Sequence, residues 1–323
     1  PDATNDDILN AIADIYGMNK NQIVVGNGAA ELLYAICRLP GYTGAFVPAP
    51  GFSEYKAALE ASRIPVRDIY YRPREDEHGK PYFEVPYLAL ETFAAELKGQ
   101  DGRIIVFLGN PNNPDGTLLD KNHIRTIASM LKDANSLLVI DESFIDFVGN
   151  DTLQDNEYSM RSLVNEFDNI IVVHSFTKFY AVPGLRIGAA FSNPLIIEQL
   201  NSFIPTWSVN TLAQSYTEAA LNDVEYVKRT KQVLHEEQLF MYNSLDTIDG
   251  ITIYPPSANF MLFHIEQEGI TAESINEALK KDNMIVRNCD SYMGLNNQWV
   301  RVAIKDHDTN VKLVEKLTDI LKV

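Results

Sequence analysis

Short apolar runs alternate with amphipathic stretches along the first part of the chain. Gln22–Val25, Ala45–Pro48, Val66–Tyr70, Arg103–Leu108, Ser136–Ile140, Asn169–His174 and Leu185–Ala190 have the length and composition of strands. Several are almost unbroken in Val, Ile, Leu and Phe, the pattern of strands covered on both faces. Between them, Asp7–Tyr16, Ala29–Leu39, Ser53–Ser62, Leu88–Leu97, Lys121–Asp133 and Leu195–Phe203 show helical periodicity, and Gly17 suits a C-terminal cap of the first. Strands and helices in alternation predict an α/β fold with a mostly parallel, helix-flanked sheet.

The pattern changes after Thr211. Residues 211–243 form one or two longer helices; then Ile251–Tyr254, Asn259–His264, Met284–Arg287 and Trp299–Ile304 are strand-like, and Thr271–Lys281 and Asn310–Leu321 helical. This predicts a large domain over residues 1–210 and a smaller C-terminal α+β domain over residues 211–323, with its linking helix. The charged segment Arg72–Lys80 is expected to be a solvated turn.

Composition narrows the function classes. The net charge of −17 speaks against a broad basic face for nucleic acid. No apolar run approaches the roughly 20 residues that span a bilayer, so no membrane partner is expected. Cys37 and Cys289 are far apart, and Cys37 lies in the apolar segment Leu32–Cys37. Core packing in a reducing cytoplasm is the expectation, rather than a disulfide. The six histidines show no zinc spacing, so no metal is expected. The chain begins at Pro1, which leaves open a segment upstream.

The candidate chemistry lies where predicted strands end. Ser175-Phe176-Thr177-Lys178 is followed eight residues after the lysine by Arg186, in Gly184-Leu185-Arg186-Ile187-Gly188. An amine flanked by hydroxyls and a guanidinium suits a cofactor with an aldehyde and a phosphate, such as pyridoxal phosphate. Gly26-Asn27-Gly28-Ala29-Ala30 joins a strand to a helix, either as a plain turn or as a phosphate-binding helix start. Asn110-Pro111-Asn112-Asn113-Pro114-Asp115-Gly116 is either a tight turn or a platform from which Asn113 donates to a phenolic oxygen. Asp141 ends a strand, where a carboxylate needs a partner: a protonated pyridine nitrogen, a metal, or a helix start. Phe52 either stacks on a ring or fills the core.

Taken together, these motifs resemble the fold-type-I pyridoxal-phosphate enzymes of aminotransferase class I/II, in order and over nearly the whole chain. The resemblance implies that Lys178 carries the cofactor as a Schiff base and shuttles protons. It implies that Asp141 pairs with the pyridine nitrogen, Asn113 bonds the phenolic oxygen and Phe52 stacks on the ring. The Ala29 and Ala30 amides, Ser175, Thr177 and Arg186 would hold the phosphate. Arg301, in Val300-Arg301-Val302, matches a carboxylate-binding arginine, and Arg287 is a second candidate substrate ligand. A homodimer with a small phosphorylated amino acid as substrate is also implied.

Two branches of that group come nearest. Phe144, in Asp141-Glu142-Ser143-Phe144, stands where aminotransferases carry Tyr. Pro205–Gln214 and Ile285–Leu295 also resemble the threonine-phosphate decarboxylases of cobalamin biosynthesis more than the histidinol-phosphate aminotransferases. Decarboxylation is therefore the expectation, with amino transfer as the alternative and a non-catalytic ligand sensor as a further one. Asp115 departs from the family, which usually has Thr there, and places a negative charge near the Asn113 turn. The family also normally begins upstream of Pro1, with an arm that commonly covers the site.

Overall fold

The computed structural model describes residues 2, 4–97, 102–149, 152–154 and 156–321. Its first part runs α1 (Asp6–Tyr16), β1 (Ile23–Gly26), α2 (Gly28–Ile36), β2 (Tyr42–Ala49), α3 (Ser53–Ala61), β3 (Val66–Tyr70), β4 (Arg72–Glu75), β5 (Pro81–Glu84), α4 (Tyr87–Glu96), β6 (Arg103–Gly109), α5 (Lys121–Asp133), β7 (Leu137–Asp141), β8 (Ile170–Ser175), α6 (Phe176–Phe179), β9 (Gly188–Phe191) and α7 (Pro194–Phe203). There follow α8 (Thr211–Leu221), α9 (Val224–Leu245), β10 (Ile251–Ile253), β11 (Phe260–Ile265), α10 (Ala272–Leu279), β12 (Arg287–Asn288), β13 (Trp299–Ala303) and α11 (His307–Leu321).

A seven-stranded sheet in the order β1-β9-β8-β7-β6-β2-β3 organises the first part. Only β9 runs against the others, pairing antiparallel with both β1 and β8. Every residue of β7 and β8 is buried, because helices cover both faces of a parallel sheet. The edge strand β3 instead mixes Arg67 and Asp68 with its apolar residues, which discourages further strand addition. The faces of the sheet bury two separate cores, one around Leu138, Ile140 and Val172, the other around Phe107, Val139 and Ile171. Leu138 is 0% exposed. Leu138→Ala is expected to lower unfolding stability by about 3 kcal/mol through the cavity it leaves, measured by urea unfolding; a loss under about 1 kcal/mol would contradict this packing.

Side-chain caps fix several helix starts. Asp120 accepts from the Asn122 and His123 amides at α5, and Asn193 accepts from Leu195 and Ile196 at α7. Gly17 ends α1 in the left-handed region and donates to Ala13, as its position in sequence suggests.

The second sheet, β10-β11-β13-β12, is antiparallel throughout. It buries Phe263, Val300 and Val302 against α9, α10 and α11. Helix α9 reaches both parts: Val227 packs in a core of the first sheet, Met241 and Leu245 in the core of the second.

Three local expectations are corrected. The strand expected over Leu185–Ala190 begins only at Gly188, because Arg186 turns the chain at φ 59°. The strand expected over Met284–Arg287 is reduced to β12, because Asn283 sits at φ 57° and the Met284 amide returns to the Leu279 carbonyl. Arg72–Lys80 is exposed, but its first residues form β4, which pairs with β5 in a hairpin.

Candidate active site

Strands β1, β2, β6, β7 and β8 run in one direction. The segments after them therefore gather at one edge of the sheet, where ligands of open α/β sheets bind. Gly28–Ala30, Phe52, Asn113, Asp141 and Ser175–Lys178 all lie there, brought together from positions far apart in sequence.

Helix α2 starts without a side-chain cap, as Asn27 accepts from none of its first amides. Those amides and the helix dipole favour an anion. The Arg186 guanidinium covers this start so closely that a β-carbon on Gly28, at φ 78°, would collide with it. Gly188 is equally constrained: a β-carbon there would lie 2.6 Å from the Ala29 nitrogen and 2.7 Å from the His174 carbonyl oxygen. Arg186 is a non-glycine residue in the left-handed region, a local strain that tends to mark functional positions. Its Nη1 donates to the Pro183 carbonyl at 3.2 Å. The buried Ser175 and Thr177 hydroxyls are bonded to each other at 2.8 Å on the adjoining strand end.

Lys178 lies on the short helix α6, its Nζ 5.3 Å from the centre of the Phe144 ring. Burial holds its ammonium below the usual lysine range; Asp141 opposes this and Arg186 adds to it. A lysine so placed is more often a neutral amine, the form that attacks a carbonyl. Among the described residues, no carboxylate forms an ion pair with Lys178, Arg186, Arg287 or Arg301.

Asp141 ends β7 and is 6% exposed. Its Oδ1 accepts from the Ser143 amide and its Oδ2 from the Tyr55 hydroxyl, each at 2.9 Å. Phe52 stands at the N-cap of α3, half-buried and edge-on to Tyr55 at 5.6 Å. The Asn112 amide bonds the Pro50 carbonyl at 3.0 Å and so ties the Phe52 segment to the Asn110–Gly116 turn.

Asn113 connects the two sheets. Its side-chain oxygen accepts from the Tyr292 hydroxyl at 3.1 Å and from Arg301. With the oxygen occupied, its amide nitrogen is left as the donor toward the site. Arg301 also lies 3.3 Å from the Tyr292 hydroxyl and over the Phe260 ring. Arg287 is directly opposite Arg301 across the β12–β13 pairing, so both project from one face. Arg287 is exposed, bonded to Ser291 and placed over the Tyr292 ring.

Sequence reasoning missed Tyr55 and Tyr292. The first was visible as an aromatic three residues after Phe52, in the first turn of α3; the second had no signal apart from its tertiary position. Asp115, the departure from the family pattern, has a local role. Its carboxylate accepts from the Thr117 amide at 2.8 Å and from the Asn112 side chain, which fastens the Asn113 turn. Burial raises its pKa above the ordinary aspartate value. Glu142 and Asp146 are also buried, each within a hydrogen-bonded network behind the strand ends.

These residues fit pyridoxal phosphate. An uncapped helix start under an arginine offers a seat for its phosphate, Lys178 an amine for its aldehyde, Asn113 a donor for its phenolic oxygen, and Asp141 an acceptor for its ring nitrogen. The comparisons agree. The family model "Aminotransferase class I and II" matches residues 1–317. The bifunctional adenosylcobalamin biosynthesis protein CobDQ of Leptospira interrogans is 31% identical over 99% of this chain, which spans 35% of that longer protein. The threonine-phosphate decarboxylase of Salmonella typhimurium is 31% identical, with 99% of this chain and 83% of that protein covered. Among solved structures, the histidinol-phosphate aminotransferase of Clostridium acetobutylicum superposes with a TM-score of 0.87 at 25% identity, covering 100% of this chain and 90% of that one. Site geometry, family match and relatives converge: the chain belongs to the aminotransferase class I and II family and is a pyridoxal-phosphate-dependent enzyme.

Proposed function

We propose that this enzyme decarboxylates L-threonine O-3-phosphate to aminopropanol phosphate and carbon dioxide, a step of cobalamin biosynthesis. The observation that carries the proposal is the arginine pair. Arg287 and Arg301 are directly opposed across the β12–β13 pairing, Arg301 reaches Asn113, and no carboxylate of the described residues forms an ion pair with either. Two cations side by side suit a substrate that bears both a carboxylate and a phosphate. Histidinol phosphate carries only one anionic group, whereas the 2-oxoglutarate that amino transfer also needs carries two, so the pair selects a doubly anionic substrate rather than a reaction. Phe144 in the place of a tyrosine and the names of two relatives favour decarboxylation.

Bound pyridoxal phosphate supplies an aldehyde for the substrate amine and a ring that takes up the electron pair of the broken bond. In this proposal the Ala29 and Ala30 amides, Ser175, Thr177 and Arg186 hold its phosphate, and Phe52 covers a ring face. Asp141 holds a proton at the ring nitrogen, and Asn113 donates to the phenolic oxygen. Arg301 and Arg287 would bind the substrate's two anionic groups and so set which of its bonds is presented for cleavage. Lys178 would hold the cofactor's aldehyde and would deliver a proton to the substrate carbon that loses the carboxylate. We further propose a division at Thr211 into a large and a small domain, and a cytoplasmic homodimer. No helix of the described residues is long and apolar enough to cross a membrane.

Product analysis in heavy water tests the reaction. Aminopropanol phosphate carrying one solvent deuterium on its amine-bearing carbon is expected; its absence, with a keto product instead, would overturn the proposal. Arg301→Leu is expected to lower kcat/KM for threonine O-phosphate by about a hundredfold or more, since it removes a hydrogen-bonded, partly buried charge. The exposed Arg287 should cost about tenfold when changed to Leu. Steady-state kinetics check both; wild-type values would remove the arginine pair from substrate binding. Amino transfer is the second reading, favoured by the likeness to the histidinol-phosphate aminotransferase structure.

A further inference from the structure

We infer that Tyr55 is a positioning residue: it locks the Asp141 carboxylate against the ring nitrogen and couples it to Phe52 on the ring face. This rests on the reading of Asp141 as the partner of that nitrogen. Tyr55 is 3% exposed, and its ring stacks on Phe107 at 5.3 Å and 16°. Phe52 packs edge-on against its other side. So held, its hydroxyl donates to Asp141 Oδ2 at 2.9 Å. The Ser143 amide takes Oδ1. The carboxylate thus has a fixed donor on each oxygen and cannot rotate without breaking one of them, while each oxygen keeps lone-pair capacity for a further donor.

The phenol stays a donor over the working range of pH, because burial pushes it well above the ordinary tyrosine value and Asp141 pushes it further. A donor of this kind stabilises the ionised carboxylate. The ionised carboxylate in turn keeps a proton on the ring nitrogen. Loss of the hydroxyl leaves Oδ2 without its donor and frees the carboxylate to rotate, so that it is held less well against the ring nitrogen. The effect differs from a packing defect, because Tyr55→Phe keeps the ring on Phe107 and removes one oxygen.

Tyr55→Phe holoenzyme is therefore expected to lose about tenfold to a hundredfold in kcat, with KM for threonine O-phosphate nearly unchanged. The pH titration of the bound cofactor's absorption should shift its midpoint, and cofactor affinity should fall. Phe107→Leu serves as the packing control: it lowers the melting temperature but leaves the titration midpoint in place. In an Asp141→Asn background, Tyr55→Phe should add nothing. Tyr55→Met gives a second route to the same losses if the Phe variant fails to fold. Wild-type kcat and midpoint in a folded Tyr55 variant would overturn the inference, as would an equal midpoint shift in Phe107→Leu. If Asp141→Asn itself has wild-type kcat and cofactor affinity, the reading of Asp141 falls; if Asp141→Asn is inactive and Tyr55→Phe is not, only the role of Tyr55 falls.

Discussion

Lys178→Ala is expected to lower turnover by about 10,000-fold, the largest effect of any single change at this site. In the proposed reaction the lysine has two tasks, to hold the cofactor's aldehyde and to move a proton at the reacting carbon. The neighbouring Arg186 cannot replace it, because its guanidinium faces the start of α2. Burial already favours the neutral amine of Lys178, so the loss removes a prepared nucleophile rather than a surface charge. Reduction with borohydride should fix the cofactor to the wild-type protein and leave the variant unlabelled. The fold should persist, since Lys178 makes no ion pair with the described residues. Stopped-flow turnover, with mass spectrometry of the reduced protein, checks both parts. A labelled variant, or a rate within tenfold of wild type, would contradict the assignment.

Asp141→Asn is expected to cost about 1,000-fold in kcat. Breaking a buried charge pair by removing one partner costs about 3–5 kcal/mol, and about 1.4 kcal/mol is tenfold in rate. The two donors that meet the carboxylate sharpen the loss. Tyr55 and the Ser143 amide each need an acceptor at Asp141, and an asparagine offers only one oxygen. Its amide hydrogens would face either a donor or the ring nitrogen, which could then accept but not hold a proton. Cofactor affinity should fall along with kcat, read by equilibrium dialysis and steady-state kinetics. A fall of less than tenfold would show that Asp141 does not pair with the ring nitrogen.

The layout of the sheet was legible because its central strands are continuous apolar runs. Ile104–Leu108 and Leu137–Ile140 can be buried only between two layers of helices. The candidate site residues were legible because local chain geometry concentrates them at strand ends: Lys178 follows β8, Asp141 ends β7, and Asn113 follows β6. The strand starts at Arg186 and Asn283 were not legible. Left-handed backbone at a non-glycine residue is imposed by tertiary context and leaves little trace in residue type. The Asn113–Tyr292–Arg301 junction was equally hidden, since it joins two sheets through side chains nearly 180 positions apart in the chain. Asp115 stood out in sequence only as a departure that places a negative charge near the Asn113 turn; in the structure it fastens that turn.

On the proposed reading the choice between reactions depends on how Arg287 and Arg301 orient one substrate, and it is open to a direct comparison of rates. Purified holoenzyme is given threonine O-phosphate in one assay, and histidinol phosphate with 2-oxoglutarate in the other. The account predicts stoichiometric release of carbon dioxide from the first, with kcat/KM at least about 1,000-fold above that for amino transfer in the second, a gap of about 4 kcal/mol in transition-state stabilisation. Efficient amino transfer with no carbon dioxide from threonine O-phosphate would contradict it.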